Sequence, residues 1–126
     1  MAKSVVHQKS FEFALEVVEL FKKLQAEHEY VLSKQLLRSG TSIGANIEEA
    51  LAGQSRRDFL AKMAVASKEA RETRYWLALL QISGLTRTEL RPALKDIDES
   101  IRILTSIVKT TSESPATQNI KLKTQN

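Results

Sequence analysis

From Phe59 to Leu80 the apolar positions alternate four and three apart without a break: Phe59, Met63, Ala66, Ala70, Thr73, Leu77 and Leu80. That spacing is the seam of a helix lying along other helices. A strand cannot keep it, because strand side chains change face at every residue. The stretch must therefore be helical, and it needs partner helices to cover its seam. Its ends are marked as well. Ser55 with Asp58 three residues later resembles a capping box, with Asp in place of Glu. Gly84 suits a left-handed residue just past a helix end. A helix over Arg56 to Ser83 is predicted.

Three further amphipathic segments supply the partners. Leu90, Leu94, Ile97, Ile101, Leu104 and Val108 repeat the heptad seam in a helix expected over Arg87 to Thr110. Thr86 and Glu89 read as its capping box, and Leu85 with Leu90 as its hydrophobic staple. Pro92 falls within its first two turns, where a missing N–H costs least. A helix over Leu32 to Leu51 carries Leu32, Leu36, Ile43, Ile47, Ala50 and Leu51 on its core stripe. Gly40 and Gly44 lie inside it, each costing about 1 kcal/mol relative to Ala unless a neighbouring backbone packs closely or the helix bends there. The first helix is expected over Ser10 to Gln25, with a turn at Ala26 to Tyr30.

The chain has 126 residues, 42% of them hydrophobic and 27% charged, which suits one globular domain with its own core. Only four Gly and two Pro occur, too few for a fold of many short strands. The predicted fold is all-α, an antiparallel up-down-up-down four-helix bundle over residues 10–111. Residues 1–9 form an N-terminal arm, and the polar stretch over residues 112–126, with Pro115 and no periodicity, a disordered tail.

Several kinds of chemistry lack their residues. There is no Cys, hence no thiolate metal site, disulfide or Cys nucleophile. A di-metal carboxylate bundle needs paired Glu-x-x-His motifs, and neither His7 nor His28 follows a Glu at that spacing. No G-x-S-x-G elbow is present, and Gly40 and Gly44 lack the Lys-Ser/Thr ending of a phosphate loop. No catalytic residue, metal, cofactor or small-molecule substrate is expected. No apolar run reaches membrane-spanning length, and Glu12, Glu16 and Glu19 interrupt the N-terminal segment, so a cytoplasmic protein without membrane contact is expected.

The first helix points to association. Phe11, Leu15, Val18 and Phe21 form one apolar line, and Phe13, Val17, Leu20 and Leu24 a second. A helix on the outside of a monomeric bundle needs only one. Either it is sunk deep in its own core or a second copy covers it; we adopt the second. The line of Phe13, Val17, Leu20 and Leu24, joined by Tyr75 and Trp76, is taken as the oligomer interface. Tyr75 and Trp76 suit packing at their heptad-adjacent positions, and stacking on bases is the other use of such rings.

Two polar constellations remain. Ser42, Asn46 and Glu49 share a helix face beside the core stripe. With Glu69, Glu72, Arg71 and Arg74 they read as a hydrogen-bonded network that fixes helix register, or else as a ligand-contact surface. Arg87, Arg91, Lys95, Arg102 and Lys109 form a basic stripe broken by Asp98, with Arg56, Arg57 and Lys62 adding positive charge. The net charge of +4 permits an anionic partner. The stripe either contacts phosphates of RNA or a ribonucleoprotein or is an ordinary solvated face. A protein–protein adaptor or accessory subunit without nucleic-acid contact is the alternative.

S-I-G-A-N-I-E-E-A over Ser42 to Ala50, followed by D-F-x-x-K-M-A-x-A-x-x-E-x-x-E-T-x-Y-W-L over Asp58 to Leu77, resembles the 23S rRNA intervening-sequence protein family. The resemblance runs from about Lys9 to Val108. It implies a small bacterial four-helix bundle that forms ring-like homopentamers. A related branch, the accessory proteins of diversity-generating retroelements, associates with a reverse transcriptase and nucleic acid. The resemblance brings no catalytic role, and Asn46, Glu49, Glu69 and Glu72 match as bundle-organising positions. Many members carry Pro near Gly44 and Gly near Ala50. This chain has neither, which implies a straighter second helix.

Overall fold

The computed structural model describes residues 3–113, with side chains from residue 5 onward. These residues form four helices: α1 (Lys3–Ala26), α2 (Leu32–Ala52), α3 (Arg56–Ser83) and α4 (Arg91–Ser112). Each packs on its two neighbours, α1 on α2 and α4, α3 on α2 and α4, and the backbones of the diagonal pairs stay further apart. Ser10 of α1 meets Gly44 of α2 while Gln25 bonds Ser33, so α1 and α2 run antiparallel. Arg38 with Glu72 and Lys62 with Glu49 give the same sense for α2 and α3, as do Arg74 with Asp98 and Arg71 with Thr105 for α3 and α4. The bundle is up-down-up-down.

Helix α3 has the predicted bounds and both predicted caps. Ser55 Oγ accepts from the Asp58 N–H at 3.0 Å, and Gly84 is left-handed at φ 72°. Helix α2 starts at Leu32 through a residue whose capping role no short motif announces. The Glu29 carboxylate accepts N–H groups of Val31, Leu32 and Ser33, three donors left open by the first turn. Burial pushes the Glu29 carboxyl up, but these hydrogen bonds outweigh it and hold it below the usual range. At the end of α1, His28 N bonds the Gln25 carbonyl and Glu29 N the Leu24 carbonyl, with His28 left-handed at φ 66°. This is a Schellman ending with His where Gly is commonest.

Two expectations are corrected at the termini of helices. There is no N-terminal arm through residue 9: α1 already runs from Lys3, because Val6 packs on the core and His7 pairs with Glu48 of α2. Helix α4 starts at Arg91, not Arg87. Thr86 Oγ1 accepts from the Thr88 N–H and donates to Glu27, and Glu89 accepts from the Arg91 N–H, so the pair makes a bonded loop instead of a capping box. Leu85 stays exposed while Leu90 is buried, so the staple does not form. Pro92 falls in the first turn of α4, where no N–H is needed. Of the expected disordered tail over residues 112–126, Ser112 is the last residue of α4, and residues 114–126 lie outside the described residues.

The core is a stack of side chains from all four helices, with Val17, Leu24, Leu36, Ile43, Met63, Leu77, Ile97 and Leu104 fully buried. Gly40 and Gly44 mark the close approach of α1 to α2. A Cβ on Gly40 would stand 2.8 Å from Val17 Cγ2, and one on Gly44 would stand 3.4 Å from the Ser10 carbonyl oxygen. Close packing by Val17 is thus the reason a glycine is tolerated at position 40, whereas the contact at Gly44 is ordinary.

Candidate nucleic-acid interface and association faces

Arg91, Lys95, Arg102 and Lys109 all stand exposed on α4. At a rise of 1.5 Å per residue they trace a line about 27 Å long down the outside of the bundle. Asp98, the acidic break in that line, is neutralised from α3 by Arg74 Nε at 2.7 Å. Glu99 lies between Lys95 and Arg102, but its carboxylate bonds Lys9 of α1 at 2.6 Å. That bond and the Lys9 charge hold Glu99 below the usual carboxylate range, with Arg102 and Lys95 contributing less. Arg71 reaches across from α3 to the neutral Thr105 hydroxyl at 3.2 Å and so adds charge beside the line.

Two of the remaining predicted cations, Arg87 and Lys62, are placed differently. Arg87 precedes α4, in the loop whose Glu27 partner sits at the end of α1. Lys62 bonds Glu49 of α2 at 2.8 Å, which puts it on the α2 side of α3, away from α4. Arg91 has Glu89 at 3.5 Å, an exposed pair of little strength. Arg56 and Arg57 are exposed at the start of α3.

The expected register network of Ser42, Asn46, Glu49, Glu69, Glu72, Arg71 and Arg74 does not form; its residues divide among separate partners. Arg38 of α2, not Arg71 or Arg74, bridges Glu69 at 3.5 Å and also pairs with Glu72. Trp76 Nε1 donates to the same Glu72 carboxylate at 3.0 Å. Asn46 bonds back to Ser42, its carbonyl at 2.8 Å and its hydroxyl at 3.1 Å, and does not leave α2. Glu49 turns to Lys62. The physical reason is position: Arg71 and Arg74 lie on the α4 side of α3, whereas Glu69, Glu72 and Trp76 lie on its α2 side. The buried polar contact between the helices is one the sequence reading missed, Ser39 with Thr73. Its signal was present, as hydroxyl residues on the core stripes of two adjacent helices.

The predicted oligomer interface is also corrected. Phe13, Val17, Leu20 and Leu24 are buried in the core of their own bundle, and Trp76 is packed against that core. Of that set only Tyr75 stands exposed, its ring edge-on to Trp76 at 5.1 Å. The other apolar line of α1 is the free one: Phe11 is 62% exposed, Leu15 54% and Val18 36%. Helix α3 carries a matching line that the seam analysis passed over, Tyr75, Leu79 and Ile82, the last 84% exposed. Leu79 and Ile82 lie off the heptad seam, which is the signal that would have found them.

Between α1 and α4 a groove of about 280 Å³ is lined by Lys9, Glu12, Glu16, Asp96 and Glu99. Burial, a hydrogen bond to Asp96 and repulsion from it raise the Glu16 carboxyl to about 7. A second, more apolar hollow of about 460 Å³ lies at one end of the bundle, among Val6, Leu51, Phe59 and Ile107. Among the described residues no group of three or more His, Asp or Glu could hold a metal ion, and no helix is long and apolar enough to cross a membrane.

Comparison with known proteins places this bundle. No curated protein matches the sequence significantly. A solved structure superposes with a TM-score of 0.79 at 50% sequence identity, over 86% of this chain and 99% of the other. It is a protein of unknown function from the S23 ribosomal protein family of Bacteroides thetaiotaomicron VPI-5482, determined at 1.70 Å. The family profile described as 23S rRNA-intervening sequence protein matches residues 2–106, the whole of the bundle down to the last turns of α4. On that match the chain belongs to the 23S rRNA-intervening sequence protein family.

Proposed function

We propose that this protein is a non-catalytic, self-associating cytoplasmic bundle that binds RNA, free or within a ribonucleoprotein, through the outer face of α4. The observation that carries the reading is the exposed line of Arg91, Lys95, Arg102 and Lys109. Among the described residues Lys95, Arg102 and Lys109 hold no salt bridge, so phosphates meet them without displacing a carboxylate. Asp98 and Glu99 are each drawn to a cation on another helix, which leaves the line basic. RNA is preferred to DNA because the names of the family and of the solved relative both refer to ribosomal components.

Binding to such a line releases counterions from the phosphates, so affinity falls with salt. Filter binding of an RNA across a salt series tests the reading. Four phosphate contacts give a log–log slope of about −3 to −4. Absence of binding at low salt, or binding without a salt slope, overturns it. Self-association is assigned to the exposed apolar lines, with the ring-like homopentamer as the assembly, and mass measurement in solution tests it. The same apolar lines favour a second reading, a protein–protein adaptor without nucleic-acid contact. In that case Arg91→Glu with Lys95→Glu leaves partner capture intact.

A further inference from the structure

The two ends of the bundle are closed differently. At one end lie the α1–α2 and α3–α4 connections, and Leu24, Leu80 and Leu90 are buried there. At the other end stand the start of α1, the end of α2, the start of α3 and the end of α4, with one short exposed connection over residues 53–55. That is where the hollow of about 460 Å³ opens. Each helix gives it one partly buried apolar side chain: Val6, Leu51, Phe59 and Ile107. Its volume falls within the roughly 300–1,000 Å³ of sites that bury a ligand.

The chain itself supplies a segment that fits. Residues 114–126 follow Glu113, the C-cap of α4, so they leave the bundle at this same end. Pro115 cannot continue α4, and it disfavours helical backbone at Ser114. Ile120 and Leu122 are the only large apolar residues of the stretch. Lys121 separates them and Lys123 follows, an alternation that puts both apolar side chains on one face of an extended segment and both cations on the other. In that form the two apolar residues stand about 7 Å apart. Ile107 lies about 9 Å back along α4 from Glu113. The stretch from Glu113 to Ile120 spans up to about 23–25 Å, so the segment reaches the hollow with length to spare for a turn.

We propose that this end of the bundle is closed by the chain's own C-terminal segment, with the Ile120 and Leu122 side chains seated in the hollow among Val6, Leu51, Phe59 and Ile107. A segment tethered this closely is present at roughly millimolar effective concentration, so even weak apolar contact favours it over a partner from solution. The stretch is too polar to build a core of its own, and the hollow gives its two apolar side chains the cover it lacks. Lys121 and Lys123 stay on the solvent face, and the hollow is closed to other apolar ligands.

The methyl groups of the unaltered full chain report the seat. With Ile, Leu and Val methyls labelled, NOEs are expected from Ile120 and Leu122 to Val6, Leu51 and Ile107. The Ile120 or Leu122 methyl signals should also be displaced by the Phe59 ring, a displacement that Phe59→Leu abolishes. Ile120 and Leu122 methyl signals at the positions of an unstructured peptide, without those NOEs, overturn the proposal. NOEs that vanish when labelled chains are co-folded with an excess of deuterated ones overturn it as well, because they place the segment on a neighbouring copy. A second measurement uses the absence of cysteine. Ser106 lines the hollow, and Ser106→Cys with Thr124→Cys introduces one pair of thiols while leaving Ile120 and Leu122 intact. Its intrachain disulfide is expected to form at least tenfold faster than in the same chain with Ile120→Ser and Leu122→Ser. Equal rates overturn the seat.

Discussion

Thr73 Oγ1 of α3 lies 2.9 Å from Ser39 Oγ of α2 and 2.8 Å from the Glu69 carbonyl, and both Thr73 and Ser39 are fully buried. A hydroxyl has one proton to give, and a carbonyl can only accept. Thr73 therefore donates to Glu69, and Ser39 donates across the helix interface to Thr73. The pair locks α2 against α3 at one register in a part of the core that is otherwise apolar. Thr73→Val keeps the shape and removes the acceptor. It is expected to cost about 1–2 kcal/mol in urea unfolding. Ser39→Ala with Thr73→Val should cost less than the sum of the single changes, with a coupling of about 1 kcal/mol. Strict additivity would show that the two hydroxyls act independently.

Gly40 and Gly44 should respond oppositely to alanine. At both sites Ala improves helix propensity by about 1 kcal/mol. At Gly40 the new methyl would meet Val17 Cγ2 at 2.8 Å and Cγ1 at 2.9 Å, and a buried Val is stiff about χ1. Overpacking of this sort costs about 1–3 kcal/mol, so Gly40→Ala is expected to lower the melting temperature. Val17→Ala in the same chain should relieve part of the loss. At Gly44 the nearest atom is at 3.4 Å, ordinary contact, so Gly44→Ala is expected to be neutral or stabilising.

These two glycines also explain which part of the molecule was legible in the sequence. Helix α3 was readable from end to end because its signals are local: a seam of unbroken spacing, Ser55 before it and Gly84 after it. The inward face of α1 was not. Its two apolar lines have the same spacing and similar side chains, and nothing within α1 says which one is covered. The choice is made on α2, where Gly40 admits Val17 and Gly44 admits the backbone at Ser10, so the Phe13 line turns inward and the Phe11 line outward. The register network failed for a related reason. Arg71 and Arg74 are near Glu69 and Glu72 in sequence, whereas Arg38 is 31 and 34 residues away on another helix. Only the packing order of the helices puts Arg38 on the correct side. The basic line of α4 needed no tertiary information, since its cations share one helix and alternate on one face. Glu29 as the cap of α2 and Glu27 as the anchor of the α3–α4 loop depend on turns that no short motif announces.

The Glu16–Asp96 pair sets a pH dependence of definite sign. The Glu16 carboxyl is raised from an ordinary 4.5 to about 7 by burial and by Asp96. Between those values the folded chain holds a proton that the unfolded chain has released. The stability that this proton supports is present below about 4.5 and is lost as pH rises toward and through 7. Glu29 and Glu99, held low, act in the opposite direction and lose their contribution as pH falls. Glu16→Gln isolates the first effect. Melting temperatures of the variant minus those of the parent should rise from pH 5 to pH 8, with the variant the more stable at pH 8. A difference that is flat with pH would falsify the assignment.

The placement of the cations makes the RNA reading specific to residues. Arg102 and Lys109 are on the outer line of α4, whereas Lys62 is held by Glu49 on the opposite flank of α3. If phosphates lie along α4, Arg102→Gln with Lys109→Gln removes two contacts and reduces the magnitude of the log–log salt slope by about 1.4–1.8. Affinity at low salt should fall by a similar factor for RNAs of unrelated sequence, because phosphate contacts position without reading bases. Lys62→Gln should leave slope and affinity as in the parent. The comparison separates a bound line from a general attraction to net charge. Each variant changes the total charge of a copy, but only the first changes the face proposed to meet RNA. Equal losses per charge removed from α4 and from Lys62 would mean that the whole molecule, and not the outer face of α4, attracts the polyanion.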